Sequence, residues 1–254
     1  MSGATIGKRV IVLGALSAIG EATARLFAAE GARLVLAGRN AGRLQQVAND
    51  LAVRGAADAR VWPIDLVACA DAAAELARMA DALDGPVDAV LVFFGVLGDQ
   101  ALAERDPAEA ARIIDTNFTA AAAWCLATAA LLERQRSGVL VAATSVAGDR
   151  GRRSNYVYGA SKAGLGVLVE GIAHRLAATG AHAVVVKAGF VDTPMTAHLK
   201  RGGPLWVKPE AIARSIKSAV DRPGSPVTYA PWFWRFIMLA VRNVPAFIFH
   251  RTRL

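Results

Sequence analysis

The sequence predicts an α/β protein organised on one doubly wound parallel sheet of seven strands, with helices on both faces. Three observations carry that expectation. Short apolar runs alternate with longer Ala-rich stretches of helical period, the order a parallel sheet with crossover helices requires. The first apolar run, Arg9 to Leu13, enters a glycine turn, Gly14 to Gly20, and then a helical pattern reaching Glu30. A chain of 254 residues suits a domain of this kind, and no repeat or low-complexity segment divides it. Residues 1–230 read as the domain, with a lid loop over 190–208, and residues 231–254 as an apolar, basic tail.

The remaining strands follow in order. Arg33 to Ala37 is the second, ending in Gly38-Arg39-Asn40, and Ala59 to Ile64 is the third, ending at Asp65-Leu66. Asp88 to Phe93 is the fourth and leads into Phe94-Gly95; the two phenylalanines read as core or as facing a ligand. The fifth, Val139 to Ala143, delivers Ser145 at its C-terminal end. Ala183 to Lys187 is the sixth, followed by Ala188-Gly189-Phe190-Val191-Asp192-Thr193, and Pro226 to Ala230 is the seventh. Between them, Asp106 to Glu133 reads as one long helix containing Asn117, and Pro209 to Val220 as another.

Strand, glycine turn and helix is the context of a dinucleotide fingerprint, hence a Rossmann-type sheet. Gly14 permits the tight turn, Gly20 permits close packing of helix on strand, and Ser17, Ala18 and Ile19 lie between them. The helix N-terminus then faces a pyrophosphate. A methyl at Ala18 is tolerated there only if its φ stays negative. At the end of the second strand an acidic residue would bond a ribose 2′-hydroxyl, whereas Arg39 offers a fork suited to a 2′-phosphate. NADP is therefore expected over NAD; the alternative is a solvated loop arginine.

The chemistry is concentrated between Thr144 and Lys162. Tyr158 lies thirteen residues after Ser145, and Lys162 follows it at i+4, so phenol and ammonium share one helix face. A neighbouring ammonium stabilises a phenolate and moves its pKa toward the working range. A serine hydroxyl at the strand end can bond the same substrate oxygen. These groups suit reduction of a carbonyl, or oxidation of an alcohol, beside a hydride carrier. Tyr156 has Ala160 one turn on and reads as a wall residue.

Ser145, Tyr158 and Lys162 at this spacing, with the glycine turn, resemble the short-chain dehydrogenase/reductase family over nearly the whole chain. Leu13 and Ala18 depart from its Thr-Gly-x-x-x-Gly-Ile-Gly pattern, and Phe93-Phe94 stands where it usually has two asparagines. The resemblance implies that Asp65 and Leu66 lie beside the adenine, Gly95 beside a cofactor ribose, and Gly189, Val191 and Thr193 beside the nicotinamide. It also implies that Asn117 kinks its helix and supports a proton relay to Lys162. The Ala-rich helices carrying Asn117 and Tyr158 resemble the family's dimer-forming pair, so a homodimer or homotetramer is expected.

Composition bounds the rest. Cys69 and Cys125 sit in Ala-rich patterns, which suits reduced thiols in a cytoplasmic chain, and the four histidines show no metal-ligand spacing. No secretory signal and no apolar run of the ~20 residues needed to span a bilayer is apparent. The net charge of +8 points to an anionic partner. Nucleic acid is not expected, because no binding motif for it appears. Arg150, Arg152 and Arg153, with His198, Lys200 and Arg201 on the lid, could ring a pocket mouth for a phosphate, or each could be a solvated loop residue. After Asp221 no acidic residue occurs. The tail is either a basic-anchored helix at a membrane interface or a helix packed on a partner subunit or over the pocket.

Segments Phe94 to Asp99, Gly148 to Gly164 and Met195 to Lys200, with the tail, resemble one subgroup of the family, reductases of decaprenylphosphoryl-2-keto-ribose. That resemblance implies NADPH-dependent reduction of a polyprenyl-phosphate-linked 2-keto sugar made by a separate flavin-dependent oxidase, by a cytoplasmic protein peripheral to the inner membrane. Two other readings stand beside it: reduction of a 3-ketoacyl thioester or steroid-like ketone, and a non-catalytic cofactor-binding scaffold at the membrane.

Overall fold

Apolar runs without alternation must be covered on both faces, and they form the centre of the sheet. The computed structural model describes residues 7–198 and 202–252. Its strands are β1 (Arg9–Leu13), β2 (Arg33–Gly38), β3 (Asp58–Pro63), β4 (Ala89–Val92), β5 (Val139–Ser145), β6 (His182–Ala188), β7 (Phe190–Val191), β8 (Trp206–Val207) and β9 (Val227–Ala230). Seven of them form one sheet in the order β3-β2-β1-β4-β5-β6-β9, every pairing parallel. The order reverses between β1 and β4, which opens a crevice at their C-terminal ends.

The helices are α1 (Ala18–Ala28), α2 (Ala41–Val53), α3 (Ala72–Asp81), α4 (Gln100–Ala103), α5 (Pro107–Ile114), α6 (Ala121–Gln135), α7 (Tyr156–Leu176), α8 (Pro209–Asp221), α9 (Trp234–Asn243) and α10 (Ala246–Phe249). One face of the sheet buries Phe27 of α1, Leu44 of α2 and Ile212 and Ile216 of α8. The other buries Leu76 of α3, Trp124 of α6 and Leu165, Val169 and Ile172 of α7. The doubly wound, two-faced architecture is the expected one.

Two details differ from the pattern reading. The helix that pattern gives over Asp106 to Glu133 is broken by a π turn, Asp115–Ala120, which separates α5 from α6 at Asn117, where the family resemblance implied a kink. Residues of that turn keep helical periodicity, so the break is invisible to pattern. Second, β7 and β8 pair in parallel as a separate two-stranded sheet that frames the lid. Two-residue strands are too short to show a period. The tail forms α9 and α10, and Trp234 and Met238 of α9 pack with Val146, Phe190 and Tyr229 of the domain.

Trp124 is among the largest fully buried side chains, and its indole N–H donates to the Leu66 carbonyl at 2.9 Å. Trp124→Ala is expected to cost about 3–5 kcal/mol of stability, from lost burial and the cavity left behind. Urea unfolding followed by circular dichroism measures it.

Candidate active site

The crevice above β1 and β4 begins with the glycine turn. Gly14 sits at φ +86°, and a Cβ there would fall 2.6 Å from the Phe94 backbone nitrogen. Only glycine lets β1 turn this close to the end of β4. Ser17 caps α1, its hydroxyl accepting from the Gly20 N–H at 3.0 Å. Ala18 opens α1 with a negative φ, so its methyl meets the condition set above. Ile19 and Gly20 complete the first turn, whose free N–H groups suit an anion. Arg39 is exposed where β2 ends, and among the described residues no carboxylate pairs with it. These features fit a dinucleotide.

Farther along the same rim, Asp65 is exposed after β3 and accepts from the Val67 N–H, while Leu66 is buried. Gly95 leaves room where a Cβ would lie 2.8 Å from Asn117 Oδ1 and 3.2 Å from Lys162 Nζ. Gly189 follows β6 and Val191 ends β7. The Val191 carbonyl accepts from the Thr196 hydroxyl at 2.6 Å, and Thr193 shares that turn through the same hydroxyl.

Ser145, Tyr158, Lys162 and Asn117 converge. Gly148 and Gly159 allow the β5 exit to lie on α7: a Cβ on Gly159 would meet the Ala147 carbonyl at 2.8 Å, and one on Gly148 the Ala163 nitrogen at 2.8 Å. Ser145 thereby faces the Tyr158 phenol, which its hydrogen bond draws toward ionisation while burial pushes the pKa up more strongly. The phenol therefore holds its proton. Lys162 is buried one turn on, with Nζ 3.5 Å from the Ala143 carbonyl. Burial brings its pKa down to about 8, opposed by Cys125. Asn117, fully buried in the π turn, accepts from the Val96 N–H and donates to the Val96 carbonyl, both at 2.8 Å. Its amide also donates to Ser161 Oγ at 3.2 Å. This clamp fixes the loop bearing Gly95 beneath Lys162.

A cavity of about 830 Å³ adjoins Tyr158, with Leu97, Ile113 and Phe190 as apolar wall and Arg152, Arg153 and His198 on the basic side. Arg150 does not join that ring. Its Nη1 donates to the carbonyls of Val241 and Val244 at 2.5 and 2.6 Å, and its guanidinium lies 3.8 Å above the Phe249 ring. The carbonyls left free as α9 ends, and the ring that follows them, draw it to the tail. Lys200 and Arg201 lie outside the described residues. Pattern reading missed Trp234 and Met238, which reach the site from a helix far along the chain; the absence of acidic residues in the tail was the available signal.

The buried Lys162 has a consequence for stability. Its folded pKa of about 8 lies below its ordinary 10.5, so below pH 8 folding must carry a buried charge, and that burden lifts as pH rises from about 8 to 10.5. Lys162→Met is therefore expected to stabilise the fold by about 1–3 kcal/mol at pH 7. The gain should shrink at pH 10, as read from paired urea titrations.

A family model described as short chain dehydrogenase matches residues 8–203. An uncharacterised oxidoreductase encoded in the mprA 5′ region of Streptomyces coelicolor is 40% identical over 246 residues, covering 96% of this chain and 95% of that protein. An uncharacterised oxidoreductase of Mycobacterium tuberculosis strain H37Rv is 38% identical over 242 residues, covering 95% and 96%. Among solved structures, a short chain dehydrogenase/reductase family protein superposes with a TM-score of 0.77 at 30% identity, over 89% of this chain and 96% of that one. A structure assigned as a betaketoacyl-ACP reductase does so with a TM-score of 0.74 at 29% identity, over the same shares. The chain belongs to the short-chain dehydrogenase/reductase family and is an NAD(P)-dependent oxidoreductase.

Proposed function

We propose that this protein is an NADPH-dependent ketone reductase whose substrate is a polyprenyl-phosphate-linked 2-keto sugar. The observation that carries the reaction class is a protonated phenol that lines the cavity, with a strand-end serine bonded to it and a buried lysine one helical turn on. Bound NADPH supplies the hydride. Tyr158 donates its proton to the carbonyl oxygen, and Ser145 donates a hydrogen bond that polarises the same oxygen. Lys162, an ammonium below about pH 8, favours the phenolate left behind. Asn117 is a positioning residue that holds the Gly95 loop against Lys162.

The sugar-lipid substrate is supported by the segment resemblance, by the basic wall formed by Arg152 and Arg153, and by the outer face of the tail. Trp232, Phe236 and Leu239 are exposed there with Arg235 and Arg242, which suits an anionic membrane surface. No helix of the described residues is long and apolar enough to cross a membrane. A flavin-dependent oxidase would supply the keto sugar. The exposed Leu126 of α6 and Val167 of α7 support a homodimer or homotetramer through these helices. Reduction of a ketoacyl thioester is the second reading, favoured by the similarity to the structure assigned as a betaketoacyl-ACP reductase.

Tyr158→Phe is expected to lower reduction of the keto sugar by about 10²–10⁴-fold while NADPH still binds; intact turnover would remove the phenol from the mechanism. Wild-type turnover should fall as pH climbs through about 8 and Lys162 loses its proton. In fluorescence titrations NADPH should bind more tightly than NADH, and Arg39→Asp should reverse the order. An unchanged order would return Arg39 to the role of a solvated loop residue.

A further inference from the structure

Arg152 is a charged side chain that makes no ion pair with any described residue. It is 8% exposed and lines the cavity beside Tyr158. Its Nη2 has only the Met238 sulfur, at 3.4 Å, and its Nε is buried without a partner. Among the described residues no carboxylate forms an ion pair with it. Asp149, whose charge does favour the guanidinium, is engaged elsewhere: its side chain is 1% exposed and accepts from Lys187 Nζ and the Tyr229 hydroxyl, each at 2.7 Å. The acids across the cavity are also occupied. Asp99 caps α4 through the Leu102 N–H, and Glu104 accepts from Gln100 and faces Tyr156.

The tail builds the wall around this group. Met238 is fully buried against Arg152, and Trp234 lies on the chain after β6, where a Cβ on Gly189 would fall 1.8 Å from Trp234 Nε1. Phe190, which lines the cavity, meets Trp234 edge-on at 5.3 Å. A thioether is a weak acceptor and leaves most of the guanidinium fork unused. A buried cation with so little compensation disfavours the fold, which suits a group kept to meet an anion.

We propose that Arg152 is an anion-binding residue of the substrate cavity, backed by α9, and that the ketone reduced here carries a phosphate or carboxylate within the same cavity as its carbonyl. This rests on the ketone-reductase reading and adds to it a substrate requirement that the neighbouring Arg150, committed to the tail, does not share.

Turnover by the full-length protein with NADPH tests it on two pairs of ketones that differ in charge: dihydroxyacetone phosphate against dihydroxyacetone, and acetoacetate against ethyl acetoacetate. The expected result is a preference of about tenfold or more in kcat/KM for one anionic member. Which pair shows it separates phosphate from carboxylate. The preference should collapse to about one in Arg152→Met and be partly kept, through a raised KM, in Arg152→Lys. Equal turnover of charged and uncharged ketones by the wild type would overturn the anion site and leave ketone reduction standing. If no ketone is turned over, binding decides. With saturating NADP⁺ occupying the cofactor site, an anionic ketone should raise the Tm of wild type but not of Arg152→Met. No rise, or an equal rise in both, would overturn the proposal.

Discussion

The close seating of α7 on the exit of β5 is the contact on which the rest of the site depends. No side chain separates them, because Gly148 and Gly159 present bare backbone to each other's elements. That approach brings a strand-end hydroxyl and a helix-borne phenol to one point and buries the lysine one turn on. From the other side, Asn117 opens the preceding helix into a π turn and ties it to the Val96 backbone. The helix gives up regular bonding locally, and a loop that would otherwise span the crevice freely is held against Lys162. Rigid elements and short polar clamps together set the geometry that proton transfer needs.

Burial then assigns different tasks to side chains of the same type. Lys187 is satisfied by Asp149, as is the Tyr229 hydroxyl, and this group pins the loop after β5 to β6 and β9. Tyr229, pushed up to about 12 by burial and by the Asp149 carboxylate, keeps its proton and stays a structural donor. Tyr158 lacks any such carboxylate and faces a hydroxyl and a cavity instead. Arg150 closes the tail onto the domain through backbone carbonyls, while Arg152, two residues on, lines the cavity with its guanidinium on a sulfur atom. Adjacent sequence does not imply a shared environment.

The tail has two faces with different physical roles. Its inner face, Trp234 and Met238, packs behind Phe190 and Arg152, which line the cavity, and its outer face leaves large aromatic side chains in water. A helix so divided joins the pocket to whatever covers the outside. The reading of the tail as a packed helix describes its inner face.

Much of this protein was legible in its sequence, because the signals are local. Strands covered on both faces must be unbroken apolar runs, a βα turn this tight needs Gly14, and one helical turn between Tyr158 and Lys162 fixes their shared face. The doubly wound sheet, the glycine turn and the shared face of Tyr158 and Lys162 follow from such constraints, while the place of Asn117 beside them came from the family resemblance. Tertiary structure alone decided which of the basic residues faces the cavity, because Arg150 and Arg152 are sorted by contacts with a helix some ninety residues away. It also decided what the kink at Asn117 is tied to, the Val96 backbone, and the small sheet framing the lid, whose bonding partners lie elsewhere in the chain. Hydrophobic period records which residues leave water; which polar group they leave unpaired depends on what packs across from it.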